Sequence, residues 1–139
     1  MARNDRHITI PSKTSQLSRV RRHVAAWSRE AGLSEQATDA LQLAVDEACA
    51  NAIEHGYGGK GNGEVDVQAK LTKDAIVVTI RHHGTPFDPK VHSLAALSDM
   101  RSQRRPHGYG LHLMKRLVDD VVFRATGGGS EVRLTKRLS

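Results

Sequence analysis

The amino-acid sequence predicts an α+β fold of two layers, in which about three helices cover one face of a mainly antiparallel mixed sheet. Two stretches repeat apolar residues at the three-and-four spacing of amphipathic helices. Two others alternate apolar and polar residues as strands do, and a glycine run near residue 128 separates a further strand-like pair. We expect one domain over residues 1–139, because a chain of this length can bury a substantial core.

Composition and charge narrow the function classes. Hydrophobic residues make up 38% of the chain and charged residues 26%, which is ordinary for a globular protein. The net charge of +6 suits a nucleotide, a nucleic acid or an acidic protein as partner, although scattered surface charge explains it equally well. Cys49 is the only cysteine, which excludes an intrachain disulfide. Because no apolar run is long enough for a membrane span or a signal sequence, we expect a cytoplasmic protein.

The first two elements are predicted to be a strand and a helix. Residues 6–11 alternate polar and apolar side chains and end at a proline, which indicates a short edge strand. Residues 14–31 carry apolar side chains at helical spacing, and Gly32 follows as a helix stop. The other face of this helix carries arginines, so we expect Arg19, Arg21 and Arg22 to remain available for solvent or a partner.

The second helix holds the most informative polar pair. It is predicted to begin after Ser34, a favourable N-cap, and to end at Gly56. Glu47 and Asn51 lie one helical turn apart, at the margin of an apolar stripe, so that they share a face and can line a pocket. From the pair alone, a second interpretation is equally good: Glu47 is simply solvated, and Asn51 is an ordinary helix residue of slightly unfavourable propensity.

Alternating patterns then predict a hairpin and, after a gap, a helix and a second hairpin. Residues 64–71 and 76–80 alternate strictly and form the first pair of strands. After residues 82–86 regular pattern is lost until Gly110, apart from a short apolar patch at 94–97, and so long an irregular segment is more often a functional lid than filler. A third helix follows, and the stretches 121–126 and 131–138 complete the fold as a hairpin.

Glycines occur at three places where a backbone could approach a ligand. Gly108 and Gly110 precede a predicted helix, whose N-terminal N–H groups suit phosphate. A single GxG is also an ordinary loop-to-helix junction, and no strand directly precedes it as a dinucleotide-binding fingerprint requires. Gly84 is equally explained as a turn, and the glycines before Ser130 as a hairpin loop.

Taken together, these segments resemble the bacterial anti-sigma-factor serine/threonine kinases, which belong to the gyrase, histidine-kinase and MutL ATPase superfamily and have the Bergerat ATP-binding fold. Residues 47–57 resemble the N-box of that family, and 80–87 resemble its first glycine box. Residues 108–120 resemble the second glycine box, and 129–136 resemble the closing strand. The resemblance covers nearly the whole chain, with the four segments in the family's order.

The resemblance implies roles for individual residues. Glu47 would be the catalytic general base, and Asn51 would hold Mg²⁺ that bridges the nucleotide phosphates. Arg19 matches a family arginine that meets the protein partner. The remaining nucleotide-binding positions implied by the resemblance are His82, Gly84, Gly108, Gly110, Leu111 and Ser130.

His82 departs from the family pattern, which has an aspartate here that accepts a hydrogen bond from the adenine amino group. A neutral imidazole still accepts one hydrogen bond, whereas a protonated one only donates. Three outcomes fit this change: a rebuilt pocket, weaker binding, or a domain that serves only to bind proteins. A metal site at His82 and His83 is disfavoured, because adjacent strand residues point to opposite faces.

The function implied by the resemblance is that of an ATP- and Mg²⁺-dependent kinase. It would phosphorylate a serine of an anti-anti-sigma (STAS-domain) partner, sequester a sigma factor and form a homodimer. The alternative is a catalytically silent switch of the same fold that acts only by binding proteins. Direct nucleic-acid binding is disfavoured, because the basic residues are not interleaved with stacking aromatics.

Overall fold

A computed structural model describes residues 5–56, 61, 63–83, 107–126 and 128–138. A 3-10 turn leads into the first helix, and a π-helical turn follows the second. In chain order, the elements are strand β1 (Asp5–Pro11), helix α1 (Leu17–Ala31), helix α2 (Glu35–Asn51), strands β2 (Glu64–Leu71) and β3 (Ala75–His82), helix α3 (His107–Leu117), and strands β4 (Asp120–Thr126) and β5 (Gly129–Arg137).

The five strands form one sheet in the order β1-β2-β3-β5-β4. Every pairing between the described strands is antiparallel, and β1 lies at an edge as predicted. The order places β5 between β3 and β4, which sets His82 of β3 opposite Ser130 of β5. The predicted α+β class is confirmed.

Alternation along the strands separates a dry face from a wet one. In β2, Val65, Val67 and Ala69 are buried, while the intervening residues are partly exposed. The buried side chains join those of the helices in one aliphatic core that includes Leu41 of α2 and Met114 of α3. Each large aliphatic side chain buried in this way contributes about 1.5–3 kcal/mol to folding. The core therefore holds the helices against one face of the sheet.

The helix ends follow local chemistry. Ser34 caps α2, because its Oγ accepts a hydrogen bond from the backbone N–H of Ala37 at 3.1 Å. Gly32 ends α1 with φ 93°, a left-handed conformation that glycine adopts without a steric penalty. Among the described helices, none is both long and apolar enough to cross a bilayer.

Several predicted boundaries differ from the structure, among them the end of α2, which lies at Asn51 rather than at Gly56 because a π-helical turn follows. Helix α1 begins at Leu17, because residues 14–16 form the 3-10 turn. Strand β5 begins at Gly129, two residues before the predicted start, so Ser130 belongs to the sheet rather than to a loop. Helix α3 begins at His107, so the glycine segment predicted to precede a helix forms its first turn. Of the predicted lid, which extends to Gly110, the part up to residue 106 lies outside the described residues, and residues 107–110 are helical.

Candidate functional site

A cleft opens between the C-terminal half of α2 and the central strands of the sheet. It encloses about 300 Å³ of empty space, including its mouth. Most of its walls are apolar, and a few polar side chains converge on it from separate elements, as is typical of ligand sites. The lining residues are Ala48, Asn51, Ala52, Ile80, His82, Met114, Phe123, Ser130, Glu131 and Val132.

Asn51 contributes the polar group on the helix side of the cleft. It is the last residue of α2 and is only 6% exposed, immediately before the π-helical turn Ala52–Gly56. Its Nδ2 is buried and has no hydrogen-bond partner among the described residues. A buried polar atom left unpaired costs about 1–3 kcal/mol, and π-helical turns are frequent at functional sites. The amide of Asn51 is therefore a candidate group for binding a ligand in the cleft.

Glu47 lies on the same face of α2 as Asn51, one turn earlier. The two residues are about 6 Å apart along the helix axis, given the rise of an α-helix. Glu47 is half-buried and does not line the cleft itself. Asn51 therefore reaches into the cleft, while Glu47 lies one turn away from it on α2.

His82 and Ser130 form a buried pair across strands β3 and β5. The His82 Nε2 lies 2.7 Å from the Ser130 Oγ, and the two residues are 5% and 4% exposed. Burial lowers the pKa of His82, and the neighbouring His83 acts in the same direction. The imidazole is therefore neutral at pH 7 and forms a hydrogen bond with the Ser130 hydroxyl group.

The structure places the two adjacent histidines on opposite sides of the strand. His82 is buried in the cleft, whereas His83 is exposed. Within the part of the chain that the structure describes, no group of three or more His, Cys, Asp or Glu side chains is arranged to hold a metal ion. The two rings therefore do not face a common point.

Gly129 is a site residue that the sequence pattern did not reveal. A Cβ placed on Gly129 would lie 1.9 Å from the backbone oxygen of His82 and 2.6 Å from the Cα of His83. Only glycine lets β5 approach the end of β3 this closely, directly beside Ser130. The run of glycines was compatible with a plain hairpin loop, and nothing in it distinguished this position.

The other predicted nucleotide-binding positions are only partly described. Gly108, Gly110 and Leu111 belong to the start of α3, where the first four N–H groups of a helix have no partner within it. Gly84 lies outside the described residues. Their roles toward phosphate stay predictions.

Arg19 lies apart from the cleft lining. It is exposed on α1, where its Nη1 donates to the Oε1 of Gln16 at 2.9 Å. Arg21 is exposed as predicted, and its Nη1 also pairs with the Oδ1 of Asp46 on α2 at 2.7 Å, so it links the two helices. Arg22 is exposed as predicted.

Comparisons with known proteins agree with this fold. Residues 10–136 match the model of the histidine kinase-like ATPase domain family. A serine-protein kinase RsbW of Bacillus pumilus is 31% identical over 136 residues, covering 94% of this chain and 83% of the relative. One of Listeria monocytogenes serotype 4a is 29% identical, covering 95% of this chain and 86% of the relative.

A solved structure shows the same fold. The crystal structure of the RsbU and RsbW domains of a Mycobacterium tuberculosis protein superposes with a TM-score of 0.70 at 23% identity. The match covers 96% of this chain but only 32% of the crystallised one. The relatives named serine-protein kinases confirm the resemblance to the serine-kinase branch. Because the family model spans nearly the whole sequence, the chain belongs to the histidine kinase-like ATPase domain family.

Proposed function

We propose that the chain, as one domain over residues 1–139, binds ATP with Mg²⁺ in the cleft and transfers phosphate to a serine of an anti-anti-sigma (STAS-type) protein. In this proposal it also sequesters a sigma factor, acts as a homodimer and works in the cytoplasm. The observation that carries the proposal is the convergence of Asn51, His82 and Ser130 in one cleft. The names of the relatives, serine-protein kinases, support the reaction class.

The residues of the cleft fit a magnesium nucleotide. Mg²⁺ usually takes one or two protein oxygens and completes its shell with phosphate oxygens and water. The amide of Asn51 would supply one such oxygen, and its buried nitrogen has no hydrogen-bond partner among the described residues. When bound, the ion neutralises charge that develops on the transferred phosphoryl group. A single asparagine therefore suffices on the protein side.

Glu47 would act on the protein substrate rather than on the nucleotide. Phosphoryl transfer depends mainly on positioning and charge neutralisation, so the residue nearest the incoming serine has only to orient it and accept its proton. A half-buried carboxylate one turn from Asn51 suits that task. In this scheme, Asn51 binds and Glu47 promotes transfer.

His82 and Ser130 would contact the nucleobase. A neutral imidazole hydrogen-bonded to a serine offers a weaker acceptor than a carboxylate. Losing a hydrogen bond to a charged group costs about 1.5–3 kcal/mol, or roughly ten- to a hundred-fold in affinity. We therefore expect ATP binding weaker than a carboxylate at this position would give.

A transfer assay tests the kinase proposal. Purified protein is incubated with radiolabelled Mg-ATP and the STAS-domain protein of the source organism, and labelled serine is measured. Glu47→Ala should slow transfer by about 10²–10⁴ while leaving nucleotide binding nearly intact, as expected for a general base. Glu35→Ala is a suitable control, because that glutamate lies exposed in the first turn of the same helix.

The second candidate is a catalytically silent switch that acts by binding proteins. The observation in its favour is His82, whose Nε2 is already engaged by Ser130. In that case the wild type transfers no phosphate although it still binds the sigma factor. Equal transfer by the wild type and Glu47→Ala would instead remove Glu47 from the mechanism.

A further inference from the structure

The sheet has a second concave surface on the side away from the helices, here called the open sheet face. It is formed by the outward-facing side chains of β2 to β5, which alternate with the buried ones. A shallow groove runs across it, with about 980 Å³ of empty space including open solvent. The residues lining it are Gln68, Lys70, Val77, Thr79, Arg81, Asp120, Val122, Arg133 and Thr135.

A buried carboxylate organises the arginines of this face. Glu131 is only 6% exposed, and its Oε1 accepts from the Nε of Arg81 at 2.8 Å. Its Oε2 lies 3.7 Å from the Nη2 of Arg133 and 4.0 Å from the Nη1 of Arg124. Register explains the arrangement, because Arg81 and Arg124 are the cross-strand partners of Glu131. One carboxylate thus hydrogen-bonds Arg81 and lies at ion-pair distance from two further guanidinium groups.

The three arginines still have N–H groups that can donate hydrogen bonds to a ligand. All three remain about half-exposed or more, and each guanidinium has five N–H donors, which one shared carboxylate cannot satisfy. Lys70 adds a further exposed cation at the groove. Among the described residues in and beside the groove, these four cations face three carboxylates: Asp120, Glu131 and Asp66, the cross-strand partner of Arg81. The open sheet face is therefore cationic.

The face also offers apolar and hydrogen-bonding contacts. Val122 is 39% exposed, one of two large hydrophobic side chains so exposed within the described residues. Thr79 and Thr135 supply hydroxyl groups beside Val77. Arginine is enriched at protein–protein interfaces, and Val122 adds exposed apolar area beside the arginines of this face.

We propose that the open sheet face binds an acidic segment of a partner protein, whose carboxylates pair with Arg81, Arg124, Arg133 and Lys70 and whose aliphatic side chains pack on Val122. Guanidinium groups pair bidentately with carboxylates, and the fixed arrangement around Glu131 lowers the entropic cost of binding them. This surface lies on the side of the sheet away from the helices, although Glu131 also borders the nucleotide cleft, and it goes beyond the proposed kinase activity.

A nucleic acid and a second copy of the chain fit the open sheet face less well than an acidic protein segment does. A nucleic acid would bring phosphates close to Glu131, and no aromatic side chain lines the groove among the described residues for bases to stack on. A second copy of the chain would set like-charged arginines against each other. Charge complementarity thus favours an acidic protein segment.

The test is a binding assay with a defined probe. A fluorescein-labelled peptide of two leucines flanked on each side by three glutamates is titrated with the full chain, and anisotropy is read at about 50 and 300 mM NaCl. Lys70→Glu should weaken binding about fivefold, and Val122→Ser about threefold, since exposed pairs are worth little individually. Affinity should fall at the higher salt concentration, because exposed charges are screened.

Matched variants separate this surface from general charge. Lys115→Glu makes the same change in net charge on the exposed side of α3 and should alter the affinity less than twofold. Lys70 is preferred to Arg81 for the test, because removing Arg81 strips buried Glu131 of its closest partner and endangers folding.

Several results would overturn the proposal. They are no binding of the peptide, equal weakening by Lys70→Glu and Lys115→Glu, tighter binding of a twenty-nucleotide oligothymidine than of the peptide, or a dimer that light scattering shows to be broken by Lys70→Glu. Amide shift changes confined to β2–β5 on addition of the peptide would support it.

Discussion

Replacing Gly129 by alanine should damage the nucleotide site through the backbone alone. The added Cβ would meet the His82 oxygen at 1.9 Å and the His82 carbonyl carbon at 2.7 Å. Both atoms are backbone, so no side chain can rotate away, and the strands must separate. That separation pulls Ser130 from the His82 imidazole, which is now 2.7 Å away.

The expected loss follows from two contributions. Forcing one extra carbon into a packed site costs about 1–3 kcal/mol, and losing the hydrogen bond between His82 and Ser130 adds about 0.5–1.5 kcal/mol. The total is about 2–4 kcal/mol of unfolding free energy. For a domain of this size, that corresponds to a fall of roughly 8–15 °C in Tm.

Gly128→Ala is the matched control, because a Cβ there meets nothing within 4 Å. Both variants are compared by urea unfolding and by titration with Mg-ATP. Gly129→Ala should lose stability and bind nucleotide more weakly, whereas Gly128→Ala should stay within about 1 kcal/mol of the wild type. Equal stability of the two variants would refute the close approach of β5 to β3.

Three further predictions concern His82 and Arg19. His82→Asp should strengthen Mg-ATP binding about ten-fold or more in calorimetry by restoring a charged acceptor, and unchanged affinity would mean that the base contact is made elsewhere. The folded-state pKa of His82 is lowered by burial, so its contribution to stability is complete above the unfolded value of about 6.5 and is lost as the pH falls below it. Urea unfolding from pH 7.5 to 5 should therefore show a larger loss for the wild type than for His82→Gln. Arg19→Glu should reduce recovery of the sigma factor or STAS-domain protein in pull-downs at low salt, and the difference from the wild type should shrink as salt screens the wild-type pairing, whereas Lys115→Glu should not reduce recovery; equal recovery would place the partner surface elsewhere.

Helices and strands whose apolar side chains recur at a regular spacing could be predicted from the sequence. The strict alternation of residues 64–71 gave β2, and the apolar stripe of the second helix gave α2 with Asn51 facing inward. These patterns report which face is buried, and burial decides local structure. The position of Glu47 and Asn51 beside that stripe predicted that both could line a pocket, and the structure places Asn51 but not Glu47 in the cleft lining.

Features that depend on contacts between distant segments could not be predicted. Gly129 has no side chain to show a pattern, and its importance arises only because β5 pairs with the end of β3. Arg21 looked available on an exposed helix face, but Asp46 of the next helix lies within reach. In the alternating pattern of β5, Glu131 occupies an outward position, where a solvated residue is expected. Its burial comes from the arginines on the neighbouring strands.

The most direct test of the nucleotide cleft is calorimetric titration of the wild type and Asn51→Ala with ATP, with and without Mg²⁺. If Asn51 holds the magnesium nucleotide, the wild type binds ATP much more tightly with the ion, and Asn51→Ala loses most of that gain. Gln68→Ala, which removes an amide from the open sheet face, should bind like the wild type. Binding by Asn51→Ala that equals the wild type with the ion present, or no binding by the wild type at all, would contradict the assignment of this cleft.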